Sequence, residues 1–216
     1  MKKEPLVMCL TNIVAAEFTA DALLAIGAKP AMVSDPADAA ELSAVADSIL
    51  INLGTVHARQ VEAIRLAIKG ARPWVLDPVG CQFLSGRARL ARELIALGPT
   101  VIRGNHAEIR FILDSAPDST VLSTGEVDEI FDAHEHVEVS GGVAMLERVT
   151  ATGCVQGAVV AAMLGRGMRP LAAALAASRL MKRAGERAWE RAKTPGAFRT
   201  ALVDALYELD GKGGVA

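Results

Sequence analysis

Aromatic side chains are scarce, at 4% of the 216 residues, with one tyrosine and two tryptophans. Hydrophobic residues still reach 51% and the mean hydropathy is +0.31. The apolar bulk is therefore Ala, Val, Leu and Ile, the mix that suits parallel strands covered on both faces by helices. It also leaves apolar surface to bury between subunits. Cysteine is rare and scattered. Cys9, Cys81 and Cys154 form no CxxC, and one is necessarily left over, which suits a reduced, cytoplasmic setting better than a disulfide framework. Neither sign of charge dominates. A net charge of −2 with both signs mixed along the chain argues against nucleic acid or a membrane as main partner. No uninterrupted apolar run reaches the length of a membrane span. Lys2 and Lys3 precede an apolar run, but Thr11 and Asn12 interrupt it, against a signal peptide. Walker A and GxGxxG loops are both missing, which removes the usual nucleotide-binding turns. No linker, repeat or low-complexity tract appears, so residues 1–216 read as a single domain.

What is present is an alternation of short apolar runs and helical periodicity. Strands are expected at Leu6 to Leu10, Pro30 to Val33, Ser48 to Asn52, Trp74 to Asp77, Thr100 to Arg103 and Thr120 to Ser123. Helices are expected between them: Val14 to Ile26 stopped by Gly27, Asp35-Pro36 to about Ala46, one built on Val61, Ile64 and Ile68, Arg87 to Leu97, and Ala107 to Leu113. Such repeated units predict an α/β fold with a mostly parallel central sheet, helices on both faces and right-handed crossovers. Val127 to Ser140 alternates like a hairpin, and helices after Gly153, from Leu171 to Arg191 and from Phe198 to Leu209 close the chain.

Polar residues fall just after the expected strands: Asn12, Asn52 with Gly54, Asp77, Arg103 with Asn105, and Thr124 with Glu126. Ligands of open parallel sheets bind at the carboxyl ends of the strands, so these residues should converge on one rim. Polar turns explain the glycines by themselves, but not charges set against an apolar sheet, which need partners. Arg103 suits a phosphate oxygen pair, and Asp77 and Glu108 offer hard oxygens for a hydrated magnesium ion. The turn Ala151-Thr152-Gly153-Cys154 runs into an almost uncharged helix, whose first N–H groups form an anion site. Thr152 is expected as the N-cap. Cys154, in the first turn, is expected to be biased toward thiolate, against the bland alternative of a buried, inert thiol. Together these are parts for phosphoryl transfer.

Thr11-Asn12, Leu23-Leu24-Ala25-Ile26-Gly27-Ala28, Pro30-Ala31-Met32, Ile51-Asn52-Leu53-Gly54-Thr55, Leu76-Asp77-Pro78-Val79-Gly80, Val101-Ile102-Arg103-Gly104-Asn105 with Glu108, Thr124-Gly125-Glu126-Val127-Asp128, Val149-Thr150 with Gly153-Cys154, and Pro195-Gly196 with Phe198 occur in one order over nearly the whole chain. This ordered set resembles the hydroxyethylthiazole kinases of the ribokinase-like superfamily. The resemblance implies a ribokinase-like domain that phosphorylates 4-methyl-5-(2-hydroxyethyl)thiazole with ATP and Mg2+ in thiamine biosynthesis or salvage. It implies a homotrimer with active sites at subunit interfaces. By motif match it puts Met32 on the thiazole ring, with Asn12 and Ala151 on the substrate side. Arg103, Thr124 and Asn105 go to the ATP, Asp77 and Glu108 to the metal, and Gly153 and Cys154 to the catalytic corner.

The chain departs from that pattern in four places. Ala151 replaces a glycine, which would put a methyl group where substrate lies. Glu17 and Asp21 replace asparagines, and Cys81-Gln82-Phe83-Leu84 replaces a small-residue loop beside the metal and phosphate positions. The segment between Glu108 and Thr124 is shortened by about one strand–helix unit. A catalytically degenerate paralogue, or a kinase of a related heteroaromatic alcohol, is the alternative that these changes raise. Among other signals, His57 should open a helix and His134 and His136 should sit on an exposed hairpin. Lys182, Arg183, Arg187 and Arg191 should form a wet helix face.

Overall fold

The computed structural model describes residues 4–115 and 118–210. Its elements run β1 (Leu6–Leu10), α1 (Ala16–Ala25), β2 (Lys29–Met32), α2 (Pro36–Ser43), β3 (Ser48–Asn52), α3 (Ala58–Ile68), β4 (Trp74–Asp77), α4 (Ser85–Ile95), β5 (Val101–Asn105), α5 (His106–Ile112), β6 (Thr120–Thr124), β7 (Asp128–Phe131), β8 (His136–Val139), α6 (Met145–Arg148), α7 (Thr152–Gly165), α8 (Pro170–Arg191) and α9 (Pro195–Leu209). One eight-stranded sheet has the order β2-β1-β3-β4-β5-β6-β7-β8. Strands β1 to β6 are parallel, and β7 and β8 add antiparallel at the edge.

Strand alternation divides the core in two. Val7, Cys9 and Leu50 face a layer with α1, α7, α8 and α9, whereas Met8, Leu10, Ile49 and Ile51 face the layer of α2 to α5. α7 is buried along nearly its whole length, as befits a helix that is apolar all round. It lies close on β3, where Ser48 Oγ donates to the Ala161 carbonyl at 2.6 Å. A Cβ on Gly157 would come within 3.1 Å of Leu50 Cδ1.

The local signals operate as expected in several elements. Asp35 caps α2 with Pro36 in its first turn, and His57 caps α3 by accepting from the Gln60 N–H. α2 stops at Ser43, short of Ala46, because Ala44 to Ala46 tighten into bonds back to Glu41 and Leu42. α6 has no counterpart in the sequence reading; four residues are too few for a periodicity. His136 lies on the exposed face of β8, with His134 in the turn before it. Among the described residues no helix is long and apolar enough to cross a membrane, and all three cysteines are free thiols.

Candidate active site

The strand order reverses at β1, which has β2 on one side and β3 on the other, and such a switch opens a crevice at the carboxyl ends of the strands. There the polar residues of five adjacent strands meet. Asn12 Nδ2 donates to Asn52 Oδ1 at 3.0 Å, and Asn52 Nδ2 donates to Asp77 Oδ2 at 2.7 Å. Arg103 Nη1 lies 3.8 Å from the same Asp77 oxygen, and Arg103 Nη2 donates to Thr124 Oγ1 at 2.9 Å. A Cβ on Gly54 would fall 2.9 Å from both asparagine side chains, so the row needs glycine there.

The start of α7 closes over this row. The Arg103 guanidinium lies against Gly153, where a Cβ would be 2.5 Å from Nη1. Cys154 Sγ accepts from Asn52 Nδ2 at 3.2 Å and Asn12 Nδ2 at 3.5 Å. Two expectations are corrected here. Ala151, not Thr152, is the N-cap, with a left-handed backbone of φ 73° and ψ 6°. Thr152 is already helical and turns its hydroxyl back to the Leu146 and Val149 carbonyls. α7 therefore begins with no side-chain cap, and its first N–H groups remain available to a ligand. Cys154 is not a thiolate: burial and the neighbouring Asp77 charge outweigh Arg103 and the asparagine bonds, and push the thiol up to about 11.

Asp77 is fully buried at the end of β4. Burial first, and the Glu108 charge after the opposing pull of Arg103, raise its carboxyl to about 6. Glu108 binds through both oxygens, Oε1 accepting from the Gly80 N–H at 2.8 Å and Oε2 from the Asn105 N–H at 2.9 Å. The second bond is half of a capping box, in which Asn105 Oδ1 accepts from the Glu108 N–H. Asp77 Oδ1 is buried with no hydrogen-bond partner. An orphaned carboxylate oxygen beside a second carboxylate suits a small hard cation, so these residues fit a magnesium ion.

One cavity lies at the corner and a second begins at Thr11, next to Asn12 in the chain. The first, of about 330 Å³, is lined by Arg103, Asn105, Thr124, Gly125, Thr152 and Gly153, with Leu146 and Met181 as its apolar side. The other, of about 380 Å³, is mainly apolar and is lined by Met32, Ile13, Val33, Thr11 and Thr55. Met32 is thus apart from the polar row and joined to it through Thr11-Asn12. Ala151 lines neither cavity; its methyl packs against the larger core layer. In the substituted loop Cys81 is buried with its Sγ 4.0 Å from the Glu108 carbonyl, beside the metal position as expected, while Phe83 is 81% exposed.

The sequence reading missed residues behind the row. Gln156, Asp128 and Lys182 are all buried. Lys182 does not share the exposed face of Arg183, Arg187 and Arg191. Its ammonium donates to the carbonyls of Gly125, Glu126 and Gly141 and lies 3.4 Å from Asp128 Oδ1. The available signal was Gln156 itself, an amide within an otherwise apolar helix.

A mostly parallel sheet with a switch point, an arginine over a glycine turn at an uncapped helix start, and paired carboxylates are the parts of a phosphotransferase. Comparison with known proteins carries this further. The sequence pattern of the hydroxyethylthiazole kinase family matches residues 1–118 and 113–212. The two matched segments overlap at residues 113–118, just before β6. A hydroxyethylthiazole kinase from Cronobacter sakazakii is 42% identical over 232 aligned residues, covering 94% of this chain and 88% of its own. The structure of the hydroxyethylthiazole kinase protein from Pyrococcus horikoshii superposes with a TM-score of 0.92 at 34% identity, over 96% of this chain and 89% of that one. A ribokinase-like superfamily protein from Enterococcus faecalis shares the fold at a TM-score of 0.69 and 15% identity, over 94% and 86%. The chain belongs to the hydroxyethylthiazole kinase family.

Proposed function

We propose that this chain transfers the γ-phosphoryl group of ATP to the hydroxyl of 4-methyl-5-(2-hydroxyethyl)thiazole. The observation that carries this reading is the unbroken polar row from Asn12 to Thr124 beneath the Gly153–Cys154 corner, with a cavity lined by Arg103, Thr124 and Gly153 at one end and a more apolar one starting at Thr11 near the other. ATP phosphates enter the polar cavity against Arg103, Thr124 and Asn105. The thiazole ring takes the apolar cavity beside Met32, so that its side-chain hydroxyl passes Asn12 to reach Cys154.

Charge on the moving phosphoryl group meets Arg103 and the first N–H groups of α7. Such preorganised donors are the main instrument of phosphoryl transfer. Cys154 acts as a neutral thiol that shapes the corner and contacts the alcohol, since a thiol titrating near 11 holds its proton at neutral pH. The alcohol's proton passes to an oxygen of the arriving phosphoryl group as the bond between the γ-phosphorus and ADP breaks. Asp77 and Glu108 would hold a hydrated magnesium ion, which when bound neutralises phosphate charge. Asn52 orients Asp77 for that task through its 2.7 Å bond.

We infer a homotrimer in the cytoplasm, with each apolar cavity completed by a neighbouring subunit. Ile13 is 85% and Val14 61% exposed where Ile13 borders the cavity, and free thiols fit a reducing compartment. The test is initial rates of ADP release with ATP, magnesium and a panel of thiazole, pyrimidine and pyridine alcohols. The thiazole alcohol should have the highest kcat/KM. Binding without turnover would make the chain a degenerate paralogue, and a different preferred alcohol would reassign its substrate.

A further inference from the structure

A second row of polar side chains leaves the site and runs into the interior. Arg103 Nε donates to Gln156 Oε1 at 3.2 Å, and Gln156 Nε2 donates to Asp128 Oδ2 at 3.1 Å. The same Asp128 oxygen accepts from Ser178 Oγ at 2.7 Å. The other oxygen, Oδ1, accepts from the Gly125 N–H at 3.1 Å and faces Lys182. Gln156, Asp128, Ser178 and Lys182 are at most 6% exposed. Buried polar groups of this number are expensive beside apolar replacements of equal size, so their arrangement calls for a role.

Chemistry sets the direction of the row. An arginine Nε can only donate and an ionised carboxylate can only accept, so the Gln156 amide fits one way round. Lys182 is occupied by three backbone carbonyls and Asp128, which makes it a clamp on the β6–β7 turn and not a cation free for ligand. Asp128 is thereby held from the β6–β7 turn, α7 and α8 together. Pinning Nε leaves the guanidinium plane little freedom to rotate. Nη2 is then held at Thr124, and Nη1 lies between Gly153 and Asp77.

We propose that Gln156 and Asp128 are positioning residues for Arg103, holding its guanidinium flat over Gly153 so that its Nη groups face the phosphate. The proposal rests on the phosphotransferase reading and extends it to two side chains at the inner wall of the same cavity, whose action on the phosphate passes through Arg103.

The experiment is calorimetric titration of a non-hydrolysable ATP analogue into the wild type, Gln156→Leu, Arg103→Lys and the double variant, with KM values for ATP and alcohol alongside. Gln156→Leu should weaken analogue binding and raise the ATP KM about tenfold, with the alcohol KM within about twofold, and should cause no further loss on top of Arg103→Lys. Ser178→Ala removes one donor to Asp128 with little change of volume. It should give a smaller loss of about two- to threefold, again erased in the Arg103→Lys background, and serves if Gln156→Leu does not fold. Losses that add independently of Arg103, or unchanged binding in Gln156→Leu, overturn the proposal while leaving the phosphotransferase reading intact. A wild type that binds no analogue overturns both.

Discussion

Ala151 holds a left-handed backbone that a β-carbon makes costly. Its φ of 73° carries strain of about 1–2 kcal/mol, which exceeds the roughly 0.5–1 kcal/mol of chain entropy that glycine would lose. Ala151→Gly should therefore stabilise the protein by about 0.5–1 kcal/mol. Denaturant unfolding of the two proteins checks this, and a destabilised variant would mean that methyl packing against the core outweighs the strain. Asp77 brings a strain of another kind. Its carboxyl is raised from 3.8 to about 6 by burial, so the folded state binds its proton more tightly than the unfolded chain. The resulting stability is complete below about pH 4 and is lost as pH rises through about 6. In metal-free protein, the gap between the unfolding midpoints of Asp77→Asn and wild type should widen in favour of the variant over that window. A constant gap would show that Asp77 titrates normally. At this scale the sequence revealed which residues reach the rim and not their protonation. Cys154 illustrates why: position at a helix start is legible, whereas its burial and the charge of Asp77, 77 positions away in the chain, arise only on folding.

Among the elements, α5 links structure and chemistry through one side chain. Glu108 caps its own helix and fastens the Gly80 turn after β4. Removing the carboxylate strands two backbone donors, so Glu108→Ala should destabilise by about 2–3 kcal/mol. Glu108→Gln keeps a capping box and should retain most stability while activity at limiting magnesium falls. Thermal unfolding and a magnesium titration separate the two roles. Equal stability losses in both variants would mean that the charge itself, not the capping geometry, holds the turn. Asn105 and Glu108, three residues apart, have the spacing of a capping box, a signal that the sequence analysis did not use. Lys182 was unreadable for the opposite reason. A helix face is wet or buried according to what lies across from it, and the carbonyls of Gly125, Glu126 and Gly141 come from two separate turns.

The whole molecule follows a simple division: apolar strands set the layers, and the residues just after them set the rim. Both were legible, since alternation of short strands with helices admits few topologies and the strand ends carry Asn12, Asn52, Asp77, Arg103 and Thr124. Contacts spanning the full chain were not legible. The corner at Gly153 is made by α7 folding back on strands that precede it by up to 142 positions, as in the Asn12–Cys154 contact. Met32 lines a cavity shared with Thr11 and Ile13, next in the chain to Asn12 on either side. In the proposed function, phosphoryl transfer to a thiazole alcohol takes place beneath this corner. The most direct measurement is phosphorus NMR of the protein with ATP, magnesium and 4-methyl-5-(2-hydroxyethyl)thiazole. A new phosphomonoester signal should grow in step with ADP, and should fall by about a hundredfold or more in rate with Gly153→Ala, whose methyl would displace Arg103. No ester signal from the wild type, or an undiminished rate in the variant, would contradict the account.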